Sequence, residues 1–191
     1  MMKQFKYWFF IFLSGLVLTA CQTDLPNKPV QLTDFIPQEE VTQPTSKFIF
    51  PTDCEWKIVA RIVDGDTIYT QDKTKVRFLG INTPEMHLKK DDSQNPDGQT
   101  AKEALEKMLQ PKQKVCLMFD PHGDHQDKYG RLLAYLYNEQ GTDINKTLIT
   151  QGMAEYYRKA KYSRKSEFKK AEQIAHQKKV GLWKKGFISW Q

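Results

Sequence analysis

Trp56-Lys57-Ile58-Val59-Ala60-Arg61-Ile62-Val63 alternates along its length and carries several β-branched residues, which predicts a strand. Asp64-Gly65-Asp66 follows with the chemistry of a turn. Thr67-Ile68-Tyr69-Thr70 predicts a returning strand, Gln71-Asp72-Lys73 a second turn, and Lys75 to Ile81 a third strand. The alternation places Lys75, Arg77 and Leu79 on one face and Val76, Phe78 and Gly80 on the other. Arg77 can then face Asp64 and Asp66 while its neighbours enter a core.

Asn82-Thr83-Pro84-Glu85 leaves this meander. Pro84 keeps Thr83 extended, so the Thr83 carbonyl can be presented to a cation. Carboxylate, amide and carbonyl oxygens are the ligands that hard cations take. An arginine beside them is no cation ligand, and its paired N–H groups suit a phosphate. A metal and an arginine meeting on one phosphate can hydrolyse a phosphodiester. A second arginine for that task, Arg131, lies in Asp127-Lys128-Tyr129-Gly130-Arg131. Alone, Asp-Gly-Asp reads as a turn, Arg77 as an exposed strand residue and Glu85 as a helix-start acid. Their occurrence together lowers those readings.

Working outward, Gly98 to Leu109 predicts a helix with Ala101, Ala104, Leu105, Met108 and Leu109 on its buried stripe, stopped by Pro111. Lys114 to Phe119 and Leu132 to Tyr137 predict a fourth and a fifth strand. Between them His122 and His125 occupy a loop that reads as solvated, as does His87, because two histidines lack the further ligands of a zinc site. A short helix capped by Asp143 and closed by Gly152 buries Ile144, Leu148 and Ile149. The last helix, Arg164 to Lys179, carries Phe168, Ala171, Ile174 and Ala175 on its stripe. Five strands and three helices in this order suit an α+β fold built on a small OB-type barrel.

The chain has 191 residues and a formal net charge of +6, which favours an anionic partner without selecting one. Arg158, Lys159, Lys161, Arg164, Lys165, Lys169, Lys170, Lys178 and Lys179 read either as a solvated helix face or, with Tyr156, Tyr157 and Tyr162 interleaved, as a track for a polyanion whose bases stack. Residues 1–20 have the form of a secretory signal: Lys3 and Lys6, an apolar run from Tyr7 to Val17, then Leu18-Thr19-Ala20-Cys21. The ending resembles a bacterial lipobox, which implies a lipidated Cys21 anchored to a membrane face of the cell envelope; an ordinary signal peptide is the alternative. Residues 21–52, with five prolines among polar residues, are expected to be a disordered tether, and order is expected to begin near Phe48-Ile49-Phe50. Export would permit a Cys54–Cys116 disulfide, and two buried free thiols are the alternative.

Val63-Asp64-Gly65-Asp66-Thr67, Arg77, Asn82-Thr83-Pro84-Glu85, the run from Asp127 to Tyr135, and Gly181-Leu182-Trp183 stand in the order of one family. The chain resembles a staphylococcal-nuclease-like (thermonuclease) domain across residues 53–185, and residues 53–191 are expected to form it. The resemblance implies an OB barrel with three helices, and Ca²⁺-dependent hydrolysis of DNA and RNA giving 3′-phosphate products. It implies one Ca²⁺ held by Asp66, by the position Asn82 occupies, and by the Thr83 carbonyl, with Asp64 behind them. Glu85 would position or deprotonate the attacking water. Arg77 and Arg131 would clamp the phosphate, and Lys128 and Tyr129 would touch a neighbouring phosphate or sugar. Asn82 is a departure, because the family usually has aspartate there. One ligand charge fewer implies weaker calcium binding, a millimolar requirement, or use of Mn²⁺ or another divalent ion. The expected form is a monomer. The alternatives are a weak or inactive nucleic-acid-binding lipoprotein of the same fold, and a structural envelope lipoprotein whose basic face meets a polyanion.

Overall fold

The computed structural model describes Phe50 and residues 53–186. The expected signal, lipidated Cys21 and tether lie outside the described residues, except that the Phe50 ring meets Trp56 edge-on at 4.8 Å.

Strand β1 (Glu55–Asp64) is followed by β2 (Thr67–Thr70) and β3 (Lys75–Phe78), as the alternation predicts. Its outer half pairs with strand β5 (Lys114–Met118), and its inner half pairs with β2. Two irregularities, between Val59 and Arg61 and between Ile62 and Asp64, break strict alternation, so the buried Val59 and Ile62 stand three residues apart. Such bulges bend a strand, and bending lets a small sheet close. Strand β6 (Leu132–Asn138) runs antiparallel to β5 and parallel to β3, giving a closed barrel in the order β1-β2-β3-β6-β5. Cys54 and Cys116 are joined by a disulfide where β1 starts against β5.

The third strand stops earlier than the periodicity predicts. It ends at Phe78, and Gly80 turns the chain at φ +80°. A side chain at Gly80 would also collide with the Tyr162 and Phe168 rings, so both backbone and packing require glycine there. Leu79 is therefore buried and does not share a face with Arg77. Ile81 and Asn82 form strand β4, which pairs with a strand the alternation does not reveal, β7 (Glu155–Tyr156). A two-residue strand is too short to show a period.

Helix α1 (Pro96–Glu106) begins two residues before the predicted Gly98, because the Asn95 side chain accepts from the Asp97 N–H and Pro96 fits the first turn. Helix α2 (Ile144–Thr150) is capped by Asp143, as read from the sequence. Its Asn145 is buried and stitches the fold: the side-chain oxygen accepts from Leu136 N–H at 2.9 Å, and the amide nitrogen donates to the Leu79 carbonyl at 2.9 Å. Helix α3 (Lys165–Gln177) corrects one expectation: Ile174 is 43% exposed, and Glu172 takes the buried position beside Phe168, Ala171 and Ala175. The spacing 168, 171, 172, 175 is itself helical, so periodicity alone could not choose against a glutamate. Glu172 is satisfied there by the Tyr156 N–H at 3.2 Å and by Arg158 at 3.1 Å. The three helices and the closed barrel are the α+β OB-type architecture.

Candidate active site

The turn between β1 and β2 and the exit from β4 meet through one carboxylate. Asp66 is 4% exposed, and its Oδ2 accepts from the Thr83 N–H at 2.8 Å and from the Thr83 hydroxyl at 3.0 Å. Arg77 brings Nη1 to the same oxygen at 2.9 Å. A side chain at Gly65 would meet the Thr83 side chain and the Ala101 methyl, so glycine in the turn is what lets the two segments close. Arg77 thus faces the turn-borne carboxylates, and its Nη2 donates to Asn82 Oδ1 at 3.1 Å.

Asp64 accepts the Asp66 N–H at 3.0 Å, which sets it beside its partner. Burial first, and the Asp66 charge next, push its carboxyl up to about 7. Arg77 offsets part of the charge of the pair, and a divalent cation would offset the rest. The oxygens linked here through Arg77 and the turn are two carboxylates and the Asn82 amide, donors of the kind hard cations such as Ca²⁺ take. Among the described residues no three His, Cys, Asp or Glu side chains gather as metal ligands, so only two of the donors at this centre are carboxylates, and His122 and His125 lie in an exposed loop.

A cleft of about 450 Å³ adjoins this centre and is lined by Arg77, Asn82, Glu85, Lys128, Tyr129 and Arg131 among others. Glu85 is exposed at its edge. Its backbone is held from behind: a side chain at Gly98 would strike the Glu85 carbonyl, so α1 packs directly on that segment. Arg131 is tied by Nε to Asp127 Oδ2 at 2.7 Å, and Asp127 also accepts the Tyr129 and Arg131 N–H groups. That loop presents Tyr129, 72% exposed, with the Lys128 ammonium 5.0 Å from its ring centre. Six residues named by the resemblance therefore border one cleft although they come from three separate segments, while Asp64, Asp66 and Thr83 lie behind Arg77 and Asn82.

The basic carboxyl-terminal segment divides. Tyr157 and Lys159 line the cleft. Tyr162 does not stack on anything outside: it is buried, and its hydroxyl donates to carbonyls of Gly80 and Tyr157. Arg164 is bound to Asp143 and Glu167 and lies on the Tyr135 and Phe168 rings, so it serves the core and not a polyanion. Lys165 donates to the Arg158 and Ala160 carbonyls. The local sequence could not separate these roles, because Asp143 and the Tyr135 ring, which hold Arg164, and the Gly80 carbonyl, which Tyr162 meets, come from elsewhere in the chain.

Two polar residues carry weight that the sequence reading missed. Asp120 is fully buried and accepts from Tyr135 Oη, from the Ser163 N–H and hydroxyl, and from the His122 N–H. Burial would raise its carboxyl, but these donors, Ser163 and Tyr135 foremost, hold it at about 2. Glu155 on β7 lies opposite Asn82. Only a buried-acid signal could have found Asp120, and nothing local marks Glu155.

Comparison with known proteins agrees with this geometry. The family described as staphylococcal nuclease homologue matches residues 75–185. The chain is 39% identical over 137 residues to the SPbeta prophage-derived endonuclease YokF of Bacillus subtilis, covering 68% of this chain and 44% of that one. It is 38% identical over 137 residues to endonuclease YncB of Bacillus subtilis, covering 68% of this chain and 62% of that one. An uncharacterized protein of Methanocaldococcus jannaschii is 32% identical over 146 residues, 65% of this chain and 70% of that one. This chain thus spans less than two thirds of either Bacillus endonuclease. With its barrel, its helices and more than half of its length matched, the chain belongs to the staphylococcal nuclease family.

Proposed function

We propose that this chain is an exported, membrane-anchored nuclease that hydrolyses phosphodiester bonds of DNA and RNA with Ca²⁺, leaving 3′-phosphate products. The observation that carries the reading is the single cleft bordered by Arg77, Asn82, Glu85, Lys128, Tyr129 and Arg131, beside the Asp66–Thr83 centre. The two Bacillus relatives bear endonuclease names, which supports the same reaction here.

Asp66, Asn82 and the Thr83 carbonyl would hold the ion, with Asp64 supporting from behind. When bound, Ca²⁺ supplies positive charge to a phosphate oxygen. Glu85 takes a proton from the attacking water as its oxygen bonds to phosphorus. The bond to the 5′ oxygen breaks, and that oxygen takes a proton from solvent water as it leaves. Arg77 and Arg131 hold the phosphate oxygens and stabilise the charge growing on them. Lys128 and Tyr129, on a loop shaped by Asp127, hold the next phosphate or sugar, and Tyr157 and Lys159 extend that wall.

The domain organisation belongs to the same proposal: signal 1–20, a lipidated Cys21 with its tether to 52, and a nuclease domain from 53 onward, acting as a monomer at the cell envelope. The Cys54–Cys116 disulfide supports an oxidising compartment. A second reading, a capture module with little or no cleavage, draws on Asn82, which brings an amide where a second carboxylate is expected.

Cleavage of single-stranded DNA over a calcium titration, with a chelator control and a manganese arm, tests both. Calcium-dependent cleavage is the expected result, with a midpoint in the millimolar range set by Asn82. DNA binding without cleavage at any concentration of either ion would overturn the nuclease reading in favour of capture.

A further inference from the structure

Asn82 brings an amide to a place where a carboxylate would offer two equivalent oxygens. An amide has one oxygen and one NH₂ group, so its orientation decides whether it presents an acceptor or a donor. In this protein Arg77 Nη2 donates to Asn82 Oδ1 at 3.1 Å, on the side of Asp66. The Asn82 amide nitrogen reaches Glu155 Oε1 at 3.5 Å. Glu155 stands directly opposite Asn82 in the β4–β7 pair.

Glu155 is itself held. Arg158 Nη1 binds Glu155 Oε2 at 2.6 Å, and Arg158 Nη2 binds the buried Glu172 of α3 at 3.1 Å. The Glu155 side chain is 12% exposed. A continuous polar chain therefore runs from Glu172 through Arg158, Glu155, Asn82 and Arg77 to Asp66. It has acceptor and donor alternating at every step, and the alternation works only with the Asn82 nitrogen toward Glu155.

We infer that Glu155 is a positioning residue that turns the Asn82 amide so that its oxygen faces Arg77 and the cation. This rests on the proposed function, since it gives Asn82 a place among the ligands. The same contact makes Glu155 and an aspartate at position 82 incompatible neighbours, because two carboxylates would then oppose each other across one strand pair. The missing charge at position 82 and the carboxylate at 155 are then two parts of one arrangement.

A double-mutant cycle on the full-length chain in detergent tests this, with wild type, Glu155→Gln, Asn82→Asp and the double variant. Calcium affinity is read by titration calorimetry, and melting temperature is read in chelator. Glutamine keeps the shape of Glu155 but can donate as well as accept, so it no longer selects one orientation of Asn82. Glu155→Gln is expected to weaken calcium binding about tenfold, as loss of a ligand-orienting partner does. In the Asn82→Asp background the same change is expected to alter affinity less than about twofold, because a carboxylate needs no turning. Without calcium, Asn82→Asp should melt below wild type and the double variant should recover part of the loss. Equal weakening in both backgrounds, or no weakening in either, overturns the inference. A wild-type chain that binds no calcium removes the metal from the proposed function and overturns the positioning role with it. Nuclease failure with normal calcium coupling would overturn only the activity. A double variant no more stable than Asn82→Asp overturns the contact itself.

Discussion

Asp66 and Asp120 are both buried carboxylates in one small barrel, 4% and 0% exposed, and each ties together segments distant in sequence. Their partners differ. Asp120 takes neutral donors, the Tyr135 hydroxyl, Ser163 and the His122 N–H, and those bonds are all internal. Asp66 takes Thr83 and a full positive charge from Arg77, with a second carboxylate, Asp64, beside it and an open cleft adjoining. A carboxylate saturated by neutral donors stabilises a fold and has little left to offer a ligand. One that shares its site with another acid and an arginine has negative charge left over, which a cation requires, beside the arginine that a phosphate requires. Burial alone therefore does not mark a functional acid; the sign and number of charges around it do.

The largest break in the comparison comes at Asp66. Asp66→Asn should lower calcium-dependent cleavage roughly 10³-fold or more, since an ion's charge on a phosphate is worth several kcal/mol. It should also abolish any rise in melting temperature on adding calcium, a rise that otherwise follows ligand mass action. Asp120→Asn should leave that calcium response in place. Arg131→Ala comes next: loss of a charge-stabilising donor should cost roughly 10²- to 10³-fold in cleavage rate. Its melting temperature should stay close to wild type, because the side chain sits at the cleft rim; a collapse of stability would refute the assignment.

Asp120→Asn should cost about 2 kcal/mol in stability, because charge-assisted bonds to buried donors are weakened together. Thermal unfolding would read this as a fall of roughly 8 °C for a domain of this size. The sign of its pH dependence follows from the direction of the shift. Asp120 is held near 2 in the folded chain, below the unfolded value of about 3.9, so its stabilisation is complete above that value and fades as pH falls toward 2. The variant should therefore show a flatter loss of stability between about pH 4 and about pH 2 than wild type. The smallest effect expected is at Ile174, where serine should change stability by no more than about 0.5 kcal/mol despite the apolar residue it replaces. A loss several times larger would restore Ile174 to the core and undo the helix register described here.

Much of the fold was legible because its elements announce themselves locally. Val76 and Phe78 alternate with Lys75 and Arg77, Asp143 caps α2, and Phe168, Ala171 and Ala175 repeat with helical spacing. Lys75 to Ile81 reads as one strand because alternation persists through Leu79, and only the bend at Gly80 divides it. A lone glutamate on a helix reads as solvated, so periodicity favours Ile174 over Glu172. Its partners, Tyr156 and Arg158, are fourteen to sixteen residues away. Tyr162 and Arg164 read as surface residues for the same reason.

By itself the sequence determined the barrel's strands, the three helices, the Asp64–Asp66 turn with Arg77 facing it, and the family that the motifs name. These depend on side-chain periodicity, turn chemistry and residue type, all of which act over a few neighbouring positions. Only the tertiary structure decided that Asp120 is a lock and Asp66 a charged centre, which basic residues serve the core, and that Glu155 stands against Asn82. Each of those depends on which charges and donors meet across segments far apart in the chain, and burial makes such meetings strong because water no longer screens them.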